Sequence, residues 1–109
     1  MSKGIRTVTY PVKDLAKAKA FFTKLLGVEP YADSSYYVGY KVGDIDIGLD
    51  PHGHKDGLTV YYYVDDIKKS VKDLVAAGAK IIQDVKGVGG GGQIAILKDE
   101  NGNLIGLFQ

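Results

Sequence analysis

PVKDLAKAKAFFTKLLG, residues 11–27, is repeated in outline by YVDDIKKSVKDLVAAG, residues 63–78. Each stretch leaves a β-rich segment, passes an Asp, and enters an amphipathic helix that stops at Gly. In the first, Leu15, Ala18, Phe22, Leu25 and Leu26 recur at helical spacing while Lys13, Lys17, Lys19 and Lys24 take mostly the other side. Asp14 is placed to cap the helix start, and Gly27 fits the left-handed C-terminal position. In the second, Asp66 leads a helix carried by Ile67, Val71, Leu74 and Val75 and ending at Gly78.

The flanking segments repeat as well. Ile5–Val12 is rich in β-branched residues and reads as a strand, followed after the helix by β segments at Val28–Ala32, Tyr36–Val42 and Asp44–Leu49. Leu58–Val64 restarts the pattern, and Ala79–Val88, Gln93–Lys98 and Leu104–Phe108 complete it. Asp14 to Asp66 spans 52 residues and Gly27 to Gly78 spans 51, and the GDIDIGL of residues 43–49 is mirrored by the GNLIGL of 102–107. Near-constant offsets at three landmarks mark a duplication. The chain therefore reads as α+β, one domain over 1–109, with a βαβββ module at about 1–50, a polar linker at about 51–57, and a second βαβββ module at about 58–109.

Neither module is large enough to bury a sufficient core alone, so the two share one, and a homodimer is expected on the same grounds. The 109 residues are 45% hydrophobic and 25% charged with a net charge of +1, an ordinary globular balance without a basic field for nucleic acid. No apolar run approaches the roughly 18–20 residues of a membrane span. Cysteine is absent, which excludes disulfides and thiolate nucleophiles. MSKGIRTVTY lacks the apolar stretch of a signal peptide, so a cytoplasmic location is expected.

A βαβββ unit used twice, with V-x-D-L entering a helix and a terminal D-x-x-G-N-x-I-x-L strand, resembles the vicinal-oxygen-chelate superfamily of glyoxalase I, bleomycin-resistance proteins and extradiol dioxygenases. RTVTYPVKDL, LLGVEP, YYYVDDI and KDENGNLIGLFQ carry the resemblance over almost the whole chain. It implies a curved mixed sheet forming a cup with helices outside. It also implies that metal-binding members take one ligand from the first strand and one from the last strand of each module, usually His and Glu. Those positions fall here on Thr7, Gly48, Thr59 and Gly106. Glycine has no ligating side chain, and threonine is a neutral hydroxyl that seldom holds a divalent ion without carboxylates or imidazoles beside it. No metal or other cofactor is expected, and metal-dependent lyase or dioxygenase chemistry of the usual kind is disfavoured.

With Thr7 and Thr59 facing the cup, alternation brings Thr9, Tyr61 and Tyr63 to the same face, puts Asp44 and Asp46 beside Gly48, and puts Leu104 and Phe108 beside Gly106. Val8, Ile47, Val60 and Ile105 then face the helices. The expected ligand-binding set is Thr7, Thr9, Asp46, Gly48, Thr59, Tyr61, Tyr63, Gly106 and Phe108. The tyrosines have two readings: they line a pocket, or they fill the cup or cover a dimer interface. The strand parity of Tyr36, Tyr37 and Tyr40 is not fixed by the sequence. Asp46 in an apolar setting would have a raised pKa and serve as a general base; its other reading is a solvated strand carboxylate.

His52 and His54 form an H-x-H pair beside Asp56 in the linker and read as surface residues. GVGGGG, residues 87–92, leads into the strand-like QIAIL instead of a helix, so it reads as a hairpin tip able to cover the cup, not as a phosphate loop. The first functional expectation is a metal-independent protein binding a small aromatic or antibiotic-like molecule. Burying roughly 200–300 Å² of apolar ligand surface yields about 5–7 kcal/mol before association costs, which corresponds to micromolar binding and no tighter. The alternatives are a lyase or isomerase, metal-dependent or using Asp46 as base, and a structural or regulatory dimer with a filled cup.

Overall fold

A computed structural model describes residues 2–53 and 57–109. The first module runs β1 (Ser2–Pro11), α1 (Leu15–Leu26), β2 (Ala32–Asp33), β3 (Val38–Val42) and β4 (Ile45–Asp50). The second runs β5 (Thr59–Val64), α2 (Ile67–Ala76), β6 (Lys80–Gly87), a single 3-10 turn at Gly89–Gly91, β7 (Gln93–Lys98) and β8 (Leu104–Phe108). The eight strands form one mixed, curved sheet in the order β2-β3-β4-β1-β5-β8-β7-β6. That order is symmetric about the β1–β5 seam, as the duplicated sequence requires.

Both helices start and stop where the local chemistry places them. Asp14 accepts a hydrogen bond from the Lys17 amide and Asp66 from the Lys69 amide, each at 3.1 Å, satisfying a first-turn donor. Gly27 closes α1 with φ 70° while donating to Thr23 O at 3.0 Å. Leu15, Ala18, Phe22 and Leu26 of α1 pack on Val38, Tyr40 and Leu49. Ile67, Val71 and Leu74 of α2 pack on Val64, Ala95, Leu97 and Leu107. Leu25 departs from the expected face and is 63% exposed. At about 100° per residue it lies about 80° from Leu15, at the margin of the apolar stripe.

The parity of β3 follows from these cores. Tyr40 is fully buried under α1, where its hydroxyl donates to Lys19 O at 3.1 Å and meets Thr23 Oγ1 at 2.8 Å. Tyr37, three residues away and just outside the strand, comes to the opposite face.

β1 begins at Ser2, ahead of the expected Ile5, and two other segments differ from the sequence reading. The strand expected at Val28–Ala32 is reduced to Ala32–Asp33, because Pro30 has no amide hydrogen to give a ladder. The strand expected from Tyr36 begins at Val38, since Ser34 Oγ takes the Tyr37 amide at 3.1 Å and holds a turn. No helix among the described residues is long and apolar enough to cross a membrane.

Candidate functional site

The antiparallel β1–β5 pairing sets Val8 opposite Val60, Thr7 opposite Tyr61 and Thr9 opposite Thr59. In the parallel pairs beside it, Thr9 lies opposite Gly48 and Tyr61 opposite Gly106. Thr7 and Thr59 are therefore related by the pseudo-twofold, and so are Gly48 and Gly106. Ile47 and Ile105 pack on the helix side, against the first and second apolar core respectively. The four positions implied by the resemblance thus share the concave face within a single chain, with Thr7 and Thr59 both buried.

Their chemistry does not fit a divalent ion. Neither glycine offers a donor side chain, and among the described residues no group of three or more His, Cys, Asp or Glu is placed to hold a metal. The space a ligand side chain would need is occupied. A Cβ on Gly48 would lie 2.3 Å from Tyr37 Oη, and a Cβ on Gly106 would lie 2.5 Å from Tyr61 Cδ2 and 2.7 Å from Tyr61 Cγ. Each glycine carries a tyrosine ring in the place of a side chain of its own.

Space remains beside those rings. A cavity of about 330 Å³ is lined by Arg6, Thr7, Thr9, Tyr37, Asp50 and Tyr61 together with Val88, Gly89, Ile94 and Phe108. A second, of about 340 Å³, shares Thr9, Asp50, Tyr61 and Ile94 with it and extends to His52, Gly53, Thr59, Gln83, Lys86 and Ile96. Of the expected ligand-binding residues, Thr7, Thr9, Tyr61 and Phe108 meet at the first cavity, and Thr59 lies at the second. Gly48 and Gly106 lie beneath Tyr37 and Tyr61. Tyr63 is 40% exposed and contacts Phe108 edge-on at 6.0 Å, outside both cavity walls. Asp44 sits in the β3–β4 turn, exposed. His54 and Asp56 lie outside the described residues.

Asp46 corrects an expectation. Burial alone would push its carboxyl up, but the hydrogen bonds from Lys41 Nζ (2.9 Å) and Tyr31 Oη (2.8 Å), with the charges of Lys41 and Arg6, outweigh burial and hold it below the usual aspartate range. Lys41 is its direct partner across β3–β4. The carboxylate is thus a structural anion, lowered in basicity and engaged on both oxygens, which is poor for proton abstraction. Its partner Tyr31 is pushed up to about 12, first by burial and then by the hydrogen bond to Asp46. Burial also raises Tyr37 and Tyr61, with the nearby acids adding to it, so these hydroxyls stay protonated at neutral pH.

Sequence reasoning missed Arg6. Strict alternation sends it to the helix side, opposite to Thr7, but β1 carries an extra residue between Ile5 and Thr7: Ile5 pairs with Tyr62 and Thr7 with Tyr61. Such a bulge places two successive side chains on one face. Arg6 enters the cup, donating to Thr7 Oγ1 at 2.7 Å and lying with Cζ 4.0 Å from the centre of the Phe108 ring. Gly4, with φ 127°, belongs to a separate irregularity between Ser2 and Ile5, and nothing in Ile5–Thr7 signals the second bulge. Tyr31 was missed and Tyr37 was left open because the backbone around them, apart from the two-residue β2, has no strand parity from which to read a direction.

The chain belongs to the Glyoxalase/Bleomycin resistance protein/Dioxygenase superfamily, whose family model matches residues 4–107. Among solved structures, it is similar to a superfamily member from Vibrio splendidus 12B01, with 18% identity over 96% of this chain and 98% of that one and a TM-score of 0.72. It is likewise similar to a single-residue variant of methylmalonyl-CoA epimerase from Streptomyces coelicolor, solved with 2-nitronate-propionyl-CoA (16%, 99% and 97%, TM-score 0.74). A third likeness is to the Mn(II)-bound glyoxalase from Novosphingobium aromaticivorans (22%, 98% of this chain, 38% of that one, TM-score 0.73). At these identities the likeness establishes the fold alone. No curated protein matches the sequence.

Gly106→Ala should destabilise the protein by about 1–3 kcal/mol, because the added methyl meets the rigid base of the Tyr61 ring. In a Tyr61→Ala background the same change should cost almost nothing. A double-mutant cycle by urea denaturation reads the coupling, and additive losses would remove Tyr61 as the occupant of that space.

Asp46→Asn should cost about 1–2 kcal/mol at pH 7, the lower part of the range for charged hydrogen bonds because Lys41 can turn into water. A depressed folded-state pKa stabilises above the unfolded value and loses that stabilisation as pH falls through the folded one. The gap between wild type and variant should therefore close below about pH 4, near the ordinary aspartate value. A gap that persisted or widened in acid would contradict the assignment.

Proposed function

We propose that the protein binds a small planar molecule in the cup without a metal ion. The observation that carries this reading is the pairing of two tyrosine-covered glycines at the ligand positions with an adjoining cavity of about 330 Å³. A cavity of this size lies at the lower end of the range for small-molecule sites. Its wall combines the aromatic rings of Tyr37, Tyr61 and Phe108 with a few polar groups from Thr7, Thr9 and Arg6. Aromatic walls offer flat contact at low entropic cost, and a few hydroxyls fix orientation.

A filled cup, the alternative, is favoured only in part by the placement of the rings. They take the ground above Gly48 and Gly106, and the space between Thr7 and Phe108 stays open. Catalysis by Asp46 is not favoured, given the hydrogen bonds that hold its carboxylate.

Chelator-treated protein should gain thermal stability from planar aromatic compounds at concentrations from about 10 μM to 1 mM, a range matched to gains of a few kcal/mol. Tyr61→Ala should lower affinity about tenfold or more. Stabilisation that required added divalent ion, or none by any planar compound, would count against the reading.

We also propose that the protein is a homodimer. Phe21 and Leu25, 64% and 63% exposed on α1, leave apolar surface that a second copy would cover. Light scattering should give twice 11.7 kDa, and the single-chain mass would reject the dimer.

A further inference from the structure

Arg6 is the one cation among the described residues in the wall of the first cavity, and its surroundings leave most of its donors free. A guanidinium has five N–H groups. Among the described residues one hydrogen bond uses them, from Nη1 to Thr7 Oγ1 at 2.7 Å. Asp46 Oδ2 lies 3.9 Å from Nη1, beyond hydrogen-bond reach, and the oxygens of that carboxylate already take Lys41 and Tyr31. Phe108 stacks on the guanidinium and supplies no acceptor. The side chain is a third exposed and braced on one edge, so its position is fixed while the Nε and Nη2 edge has no partner among the described residues. That edge is the fork a carboxylate takes with two parallel hydrogen bonds.

Building on the binding function proposed above, we infer that Arg6 is the anion anchor of the cup and selects an aromatic monocarboxylate. The ligand's carboxylate pairs with the free edge of the guanidinium, and its ring lies along Tyr61 and Phe108 in the cavity they line. A single negative charge is the class favoured by the surrounding field. Lys41 already pairs with Asp46, and Asp50 lies in the same wall as Arg6, so a dianionic phosphate would face the Asp50 carboxylate with the one guanidinium of that wall to offset it. The β1 bulge is what provides the charge, since without it Arg6 would face the helices.

The test uses the whole chelator-treated chain with 1-naphthoate, its neutral isostere 1-naphthamide, and phenyl phosphate, titrated by calorimetry and by chemical-shift changes of cup residues. Wild type should bind naphthoate at least tenfold more tightly than naphthamide. Arg6→Gln should abolish that preference, and Arg6→Lys, which keeps the charge without the fork, should retain only part of it. Thermal melts of both variants establish that they fold. If both compounds bind in the cup with equal affinity, or if the preference survives Arg6→Gln, the anchor is wrong and the binding function stands. If neither perturbs the cup, the binding function and the anchor fall together. Phenyl phosphate binding tenfold more tightly than naphthoate would overturn the monocarboxylate class.

Discussion

The two modules are held to one another by a single antiparallel seam, β1 against β5, centred on Val8 opposite Val60. Each helix builds its own apolar core on its own half of the sheet: α1 over Val38, Tyr40 and Leu49, and α2 over Val64, Ala95, Leu97 and Leu107. The two cores do not merge, contrary to the expectation of one shared core, so the relation between the halves rests on the ladder of the seam and on the side chains above it. Register there is consequential, because slipping by one residue would turn Thr7, Thr9, Thr59 and Tyr61 away from the concave face together. The cup is the product of that one pairing, and its lining is whatever β1, β5 and their parallel neighbours β4 and β8 bring to the seam.

The absence of ligating side chains does not leave a hole. A side chain missing from a packed face leaves space that water or a neighbour must take, and here two tyrosines take it. The symmetry of the fold makes the glycine positions equivalent, yet the rings above them arrive by different routes. Tyr61 comes from β5, directly opposite Gly106, whereas Tyr37 comes from the turn before β3 and reaches across to Gly48. The modules are copies in backbone and have diverged in how they cover it. The hydroxyls that result are raised in pKa by burial and remain neutral donors, so the centre of the cup contains polar groups without contributing charge.

The duplication, the helix caps and the parity of the four central strands were legible because they depend on short-range rules. An Asp at a helix start, a Gly at its end and alternation along a regular strand act locally and repeat at a constant offset. Thr7, Thr9, Tyr61 and Phe108 were found at the cavity for that reason. What was not legible depends on departures from regularity. Arg6 reaches the cup through a bulge that changes the parity of one residue, and Tyr31 reaches Asp46 from backbone with no period at all. Of the two readings of Asp46, the raised pKa fails because alternation names the face a carboxylate shares and says nothing of partners from other strands. Lys41 is one strand away and 2.9 Å distant, and with Tyr31 it reverses what burial would do.

The charge arrangement explains why Arg6 can stay partly unsatisfied without strain on the fold. A guanidinium buried with no acceptor would be costly, and one fully paired with Asp46 would be neutralised and unavailable. The structure holds it between these limits. Lys41 takes Asp46 Oδ1, Tyr31 takes Oδ2, and Arg6 is left 3.9 Å from the carboxylate, near enough to be stabilised by its charge and too far to share its lone pairs. Phe108 adds the face of an aromatic ring, which attracts a cation without offering it an oxygen. Positive charge in this cup is thus supplied by a side chain fixed through a bulge, a threonine and a ring, at a concave face whose four expected ligand positions carry no ligand chemistry of their own.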